Sequence, residues 1–227
     1  MTSNFDYLLI GNSRLHWAIK VGKQYRFYHS PINDPLPAEI NINNLYWASV
    51  GDYETNLFKK ENEINIKDIK LKNIPKYFGI DRALACFAAL KTTKNPKKKD
   101  LVIADLGTTL SITKINSIGE LIGGQLIPGF LTQLKSMVQN TRNLKMPDNL
   151  SIPEDHFLID TQEAMIRGAK NSLIGAIKLA FNPNKDILIV CGGDSENIKP
   201  NFPKESQVLV NPNLVMEGMI LSFKNKN

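Results

Sequence analysis

The segment 7–28 (YLLIGNSRLHWAIKVGKQYRFY) opens with an apolar run that closes at Ile10, continues with alternation at Leu15, Trp17 and Ile19, and resumes as an aromatic run after Gly22-Lys23. Alternation with a period of two turns one side of an extended chain toward a core, so three short strands are predicted, with glycine and polar residues at both reversals. The segment 101–129 repeats the plan. It has an apolar strand, a glycine-hydroxyl turn, alternation at Leu110 and Ile112, a turn over 116–119 and an apolar stretch over 121–127. Gly107 stands 96 positions after Gly11, which predicts an internal duplication.

Each copy is followed by helix and strand patterns. The runs 45–50 and 187–190 are short and apolar, as strands require, whereas 81–90 and 161–181 carry helical spacing. The predicted class is α/β in two related lobes. Between them, 91–100 (KTTKNPKKKD) is charged, contains proline and lacks apolar periodicity. The expected division is an N-terminal lobe over 1–92, a basic linker over 93–99 and a C-terminal lobe over 100–227.

With 227 residues, 42% hydrophobic and 22% charged, the chain can bury one large core or two modest ones. The net charge of +6 raises the question of nucleic acid, but Lys and Arg are scattered apart from the run 94–99. That run has no interleaved aromatics, so it reads as solvated linker and no nucleic-acid partner is expected. Two cysteines without metal-ligand spacing suit a reducing cytoplasm. The N-terminus has no basic region followed by an apolar core, and no apolar run approaches the roughly 18 residues of a membrane span. A soluble, unprocessed protein is expected.

The candidate chemistry lies at the turns. A strand that ends in a tight glycine turn directs backbone N–H groups outward, and an adjacent Asn, Ser or Thr adds neutral donors for a phosphate. Gly11-Asn12-Ser13 and Gly107-Thr108-Thr109 both fit, although either alone is also an ordinary hairpin. Asp81 opens the apolar helix 83–90, where a carboxylate serves either as a cap or as a reactive group. Asp105 ends a strand that reads as buried, so a cation or its own turn N–H groups should face it. Thr161 is placed to cap a helix or to touch a ligand.

In order along the chain, Gly11-Asn12-Ser13, Gly79-Ile80-Asp81-Arg82, Asp105-Leu106-Gly107-Thr108-Thr109, Gly123-Gly124 to Pro128-Gly129, Asp160-Thr161 and Cys191-Gly192-Gly193 resemble the motifs of the type III pantothenate kinases, members of the actin/hexokinase/Hsp70 superfamily. The resemblance covers nearly the whole length. It implies two duplicated actin-like (ribonuclease H-like) lobes with a nucleotide cleft between them, and ATP-dependent phosphorylation of pantothenate to 4'-phosphopantothenate, the first step of coenzyme A biosynthesis. It further implies ATP contacts at Gly11, Asn12, Ser13, Arg14, Leu15, His16 and Thr108, and substrate contacts at Gly79, Ile80, Asp81, Arg82 and Thr161. Asp81 would be the catalytic base and Asp105 the ligand of a monovalent cation, K⁺ or NH₄⁺, beside ATP with Mg²⁺. The glycines of Val190-Cys191-Gly192-Gly193-Asp194, after a strand and before a turn, permit close approach by an adenine ring or serve a tight strand-to-helix turn. The resemblance also implies a homodimer. Where the family's first motif carries an aspartate, this chain has Leu9. It also has Thr113 and Thr109 in the second motif and Lys72 upstream of the substrate motif. The alternative is a weak or inactive member acting as a regulatory or accessory binding protein.

Overall fold

The first apolar run forms strand β1 (Asp6–Ile10), and β2 (Arg14–Val21) and β3 (Gln24–Pro31) follow it. The structure is a computed structural model that describes residues 5–51, 56–95, 97–193, 195, 202 and 207–224. β1 pairs antiparallel with β2, setting Leu9 opposite His16, and β2 pairs antiparallel with β3, setting His16 opposite His29. β4 (Leu45–Ser49) joins the far side of β1 in parallel, giving the order β3-β2-β1-β4.

Side chains alternate across a strand, and β1 is covered on both faces, which is why its run is continuously apolar. Tyr7 and Leu9 meet Leu84 and Phe87 of α1 (Ile80–Thr92) and Met216, Met219 and Phe223 of α4 (Leu214–Lys224). Leu8 and Ile10 point the other way, into a cluster with Trp17, Trp47 and Phe58. Each large apolar side chain sealed in this way contributes about 1.5–3 kcal/mol. α1 is buried at Ala83 and at every position through Ala89, so it is apolar all round rather than on one stripe.

A second sheet contains β5 (Asp100–Leu106), β6 (Thr109–Ile115), β7 (Leu121–Pro128), β8 (Asp186–Cys191) and β9 (Val208–Val210) in the order β7-β6-β5-β8-β9. Its first four strands repeat the order of the other sheet, with β8 parallel to β5 and β9 added beyond. Val102, Ala104, Leu106, Leu188 and Val190 pack against Leu173, Ile174 and Ile177 of α3 (Thr161–Ala180). α2 (Phe130–Asn140) lies on α3 through Leu134, Met165 and Ala169. Lys114 on β6 reaches Asp186 at 2.7 Å and Asp100 at 3.4 Å, tying three strands together.

The chain groups into two compact units, one of Met1–Lys98, Ile115–Ile122 and Asn213–Asn227, the other of Lys99–Lys114 and Gly123–Pro212. The expected span 100–227 therefore differs from the observed grouping at α4 and at the turn 115–122. α4 joins the first unit because Met216, Met219, Ile220 and Phe223 complete the layer that α1 begins. Pro96 of the expected linker lies outside the described residues. The two predicted helices, α1 and α3, match their spacing closely, with Phe181 serving as the cap of α3 rather than its last residue, and α2 and α4 add to them. Among the described residues no helix is long and apolar enough to cross a membrane.

Candidate active site

The turn between β1 and β2 is a closed hairpin, in which the Gly11 N–H donates to the Arg14 carbonyl at 2.9 Å. That donor is therefore not directed at a ligand, contrary to the expectation for a phosphate turn. Asn12, Ser13 and Arg14 are exposed beyond it. Leu15 is buried with Trp17 and Ile19, so of the expected contacts over 11–16 it has only its main chain to offer. Leu9, at the position of the family's aspartate, is packed against Tyr7 and Ala18, and a carboxylate there would have to be desolvated.

His16 stands beside this turn and approaches His29 with Nδ1 to Nδ1 at 2.9 Å. One ring must donate and the other accept, so the contact fixes complementary tautomers. Burial pushes the His16 pKa down to about 4, and the charges of His29 and Arg14 act in the same direction. His16 is a neutral imidazole at physiological pH. Its partner was not legible in the sequence, because only the register of β2 on β3 brings positions 16 and 29 together.

Asp81 occupies the second position of α1, after Gly79 at the cap and Ile80. Gly79 has no side chain to close the helix, and Asp81 Oδ1 accepts the Arg82 N–H at 2.8 Å. The carboxylate thus lies within the first turn rather than at the N-cap. Burial raises its pKa above 3.8, while the Arg82 N–H bond and the Arg82 charge oppose the rise. The Arg82 guanidinium rests over the Phe78 ring, 4.3 Å from its centroid, which restrains a long side chain beside the carboxylate. Ile80 is buried in the core, so it too contributes by its main chain alone. Behind these residues Cys86 is sealed in the helix interior, and burial pushes its thiol up to about 12.

The second glycine turn is built differently. Gly107, Thr108 and Thr109 are exposed between β5 and β6, and the turn abuts the start of α2. The Gly129 N–H and the Thr132 hydroxyl both donate to the Thr108 carbonyl, at 2.9 and 2.6 Å. A Cβ on Gly129 would strike the Gly107 carbonyl and come within 2.8 Å of the Thr108 carbonyl, so glycine is required by space. The pairing of Thr132 with the turn was missed in the sequence, where no helix is predicted over 130–140.

Asp105 is half-buried at the end of β5, opposite Cys191. Gly192 takes φ +86°, a conformation that favours glycine, and a Cβ there would overlap the Leu106 carbonyl and stand 2.6 Å from Asp105 Oδ1. A carboxylate oxygen and a main-chain carbonyl thus share one glycine-lined corner, a donor set that suits a hard cation. Among the described residues no three His, Cys, Asp or Glu side chains gather as a metal cluster. Asp194 of the expected adenine turn lies outside the described residues.

Thr161 is the first residue of α3, and the cap is Asp160, whose carboxylate accepts the Glu163 N–H at 2.9 Å. The capping role open to Thr161 in the sequence is therefore filled by its neighbour, and Thr161 itself is exposed. A cavity of about 320 Å³ lies beside it, lined by Asp148, Asn149, Pro153, Asp160, Gln162 and Ile166 among others.

Two sheets of common strand order, each with a glycine-hydroxyl turn after its first strand, define a protein of the actin-like α/β class. The fold is shared with a Campylobacter jejuni protein described as a conserved Baf family transcriptional activator, at TM-score 0.68, 21% identity and coverage of 98% of both chains. It is also shared with the (R)-2-hydroxyglutaryl-CoA dehydratase component A of Acidaminococcus fermentans, at TM-score 0.51 and 10% identity, covering 98% of this chain and 99% of that one. Within this class, the family profile described as type III pantothenate kinase matches residues 54–182. A type III pantothenate kinase of Nostoc sp. is 30% identical over 93% of this chain and 91% of its own length, and one of Synechocystis sp. is 29% identical over 93% and 87%. The chain belongs to the type III pantothenate kinase family.

Proposed function

We propose that the protein transfers the γ-phosphoryl group of ATP to the primary hydroxyl of pantothenate, giving ADP and 4'-phosphopantothenate, the entry to coenzyme A synthesis. The observation that carries this reading is Asp81. It is a half-buried carboxylate with a raised pKa, held in the first turn of a rigid buried helix and flanked by a guanidinium braced on Phe78. A base in such a setting binds a proton more readily than a solvated carboxylate does, while remaining able to ionise. Asp81 takes the hydroxyl proton as the oxygen attacks phosphorus, and Arg82 holds the pantothenate carboxylate. Gly79 and Ile80 line the substrate with their main chain, and Thr161, freed from capping, adds a hydroxyl contact.

Thr108 contacts the nucleotide phosphates from a turn anchored by Gly129 and Thr132, and Asn12, Ser13, Arg14 and neutral His16 supply further donors, with Gly11 shaping their hairpin. Asp105 and the Leu106 carbonyl suit a monovalent cation, K⁺ or NH₄⁺. Such an ion, like the Mg²⁺ that accompanies ATP, supplies positive charge against the phosphates. A homodimer working in the cytoplasm completes the reading. The accessory-protein alternative is raised by Leu9, and the relatives, which are pantothenate kinases, do not favour it.

The test is ADP release measured with and without pantothenate, and with K⁺, NH₄⁺ or Na⁺ as the monovalent cation. Release should require pantothenate and be strongest with K⁺ or NH₄⁺. Asp81→Asn should lower kcat by roughly 10² or more at matched folding. Equal turnover by the two proteins would remove Asp81 from the mechanism.

A further inference from the structure

Arg167 is charged and almost wholly enclosed on α3, at 8% exposure. Its Nε is sealed from solvent and meets no hydrogen-bond acceptor among the described residues. Among the described residues no carboxylate forms an ion pair with it. Glu163, one turn earlier on the same helix, is exposed and does not pair with it. A guanidinium cannot escape this cost by losing its proton, as a buried lysine or carboxyl group does by changing charge state. One turn further on, at the i+3 position, stands the half-buried Lys170. Its pKa is lowered by burial and then by the charge of Arg167, so the two cations share one neighbourhood. Neither residue has a role in the phosphoryl transfer described above.

We propose that Arg167 and Lys170 form a receptor on α3 for one compact oxyanion, a carboxylate or a phosphate, that engages the guanidinium through two oxygens. The fork of a guanidinium matches two oxygens of one group, and the ammonium adds a point charge beside it. The oxyanion is supplied either free in solution or by an acidic side chain of a second copy of this chain.

The experiment needs neither ATP nor pantothenate, so its failure is separable from failure of the kinase reading. Inorganic phosphate is titrated into wild type, Arg167→Met and Lys170→Met while Tm is followed. The self-association of each protein is measured by sedimentation over a range of concentrations. A free anion predicts a wild-type Tm that climbs by roughly 3–6 °C per decade of phosphate above its dissociation constant. Arg167→Met is then insensitive to phosphate and melts above anion-free wild type, having lost an unpaired buried charge. Lys170→Met shifts the climb to higher phosphate. An acid from a second copy predicts no response to phosphate, with self-association weakened tenfold or more in Arg167→Met and to a smaller degree in Lys170→Met. Should Arg167→Met fail to fold, Lys170→Met reads both arms from a more open position. The proposal is overturned if neither variant differs from wild type in either measurement, or if the phosphate response is retained when Arg167 is replaced.

Discussion

Asp81 owes its raised pKa to enclosure more than to its neighbours. Its folded pKa lies above 3.8 because burial penalises the ionised form, and Arg82 offsets only part of that penalty. Stability from this site is therefore full below pH 3.8 and declines as pH rises from there through the raised folded value. Two outcomes follow from that sign. The acid limb of kcat/KM should fall above pH 3.8, and Asp81→Asn should be more stable than wild type in urea at pH 7, with the advantage shrinking toward pH 3.8. An Asn variant less stable than wild type at pH 7 would show that the folded structure favours the charged form. At this scale the sequence named Asp81 and Thr161 as candidates. It could not say that Gly11 spends its N–H within its own hairpin, that Asp160 rather than Thr161 caps α3, or that His16 faces His29. Those are distances between atoms that no spacing rule encodes.

Elements impose the next set of constraints. The turn 107–109 is held by α2 rather than by its own strands, through Gly129 and Thr132 on the Thr108 carbonyl. Gly129→Ala places a methyl group where the Gly107 carbonyl stands, so the turn and helix must separate, at a cost of about 1–3 kcal/mol. Calorimetry with a non-hydrolysable ATP analogue should show binding weakened tenfold or more; unchanged affinity would exclude Thr108 as a phosphate contact. The second constraint is the Lys114 bridge across β5, β6 and β8. Asp186 is 1% exposed and also accepts the Asn182 N–H, whereas the Lys114 side chain keeps 31% exposure. Lys114→Met strands a buried carboxylate, but the partial exposure of Lys114 reduces the loss to about 2–3 kcal/mol, below the roughly 3–5 kcal/mol for breaking a fully buried pair. Denaturant melts of Lys114→Met and of Lys114→Met with Asp186→Leu should show the second substitution restoring part of the loss. β1, β2, α1 and α3 were legible because they carry strong periodicity, whereas α2 and α4 were not read from the sequence. Nor was β9, since three residues are too few to establish a period.

For the whole molecule, the two cysteines report on the two units separately. Cys86 belongs to the unit that contains α1 and Cys191 to the unit that contains β8, and both are buried thiols outside any disulfide. Alkylation at pH 8 followed by mass spectrometry should find both thiols protected in the native protein and labelled together with the unfolding of their own unit. Rapid native labelling of Cys86 would contradict the enclosure that lifts its pKa to about 12. The sequence by itself determined the α/β class, the two strand repeats, the helices α1 and α3 and the residue types able to handle phosphate, because periodicity and turn chemistry are local properties of the chain. Only the tertiary structure decided that α4 completes the layer of α1, that Asp105 lies in a glycine-lined corner with the Leu106 carbonyl, and that Arg167 is enclosed with no counter-charge among the described residues. These outcomes depend on which distant surfaces exclude water together, and burial of that kind sets both the raised pKa of Asp81 and the unmet charge on α3.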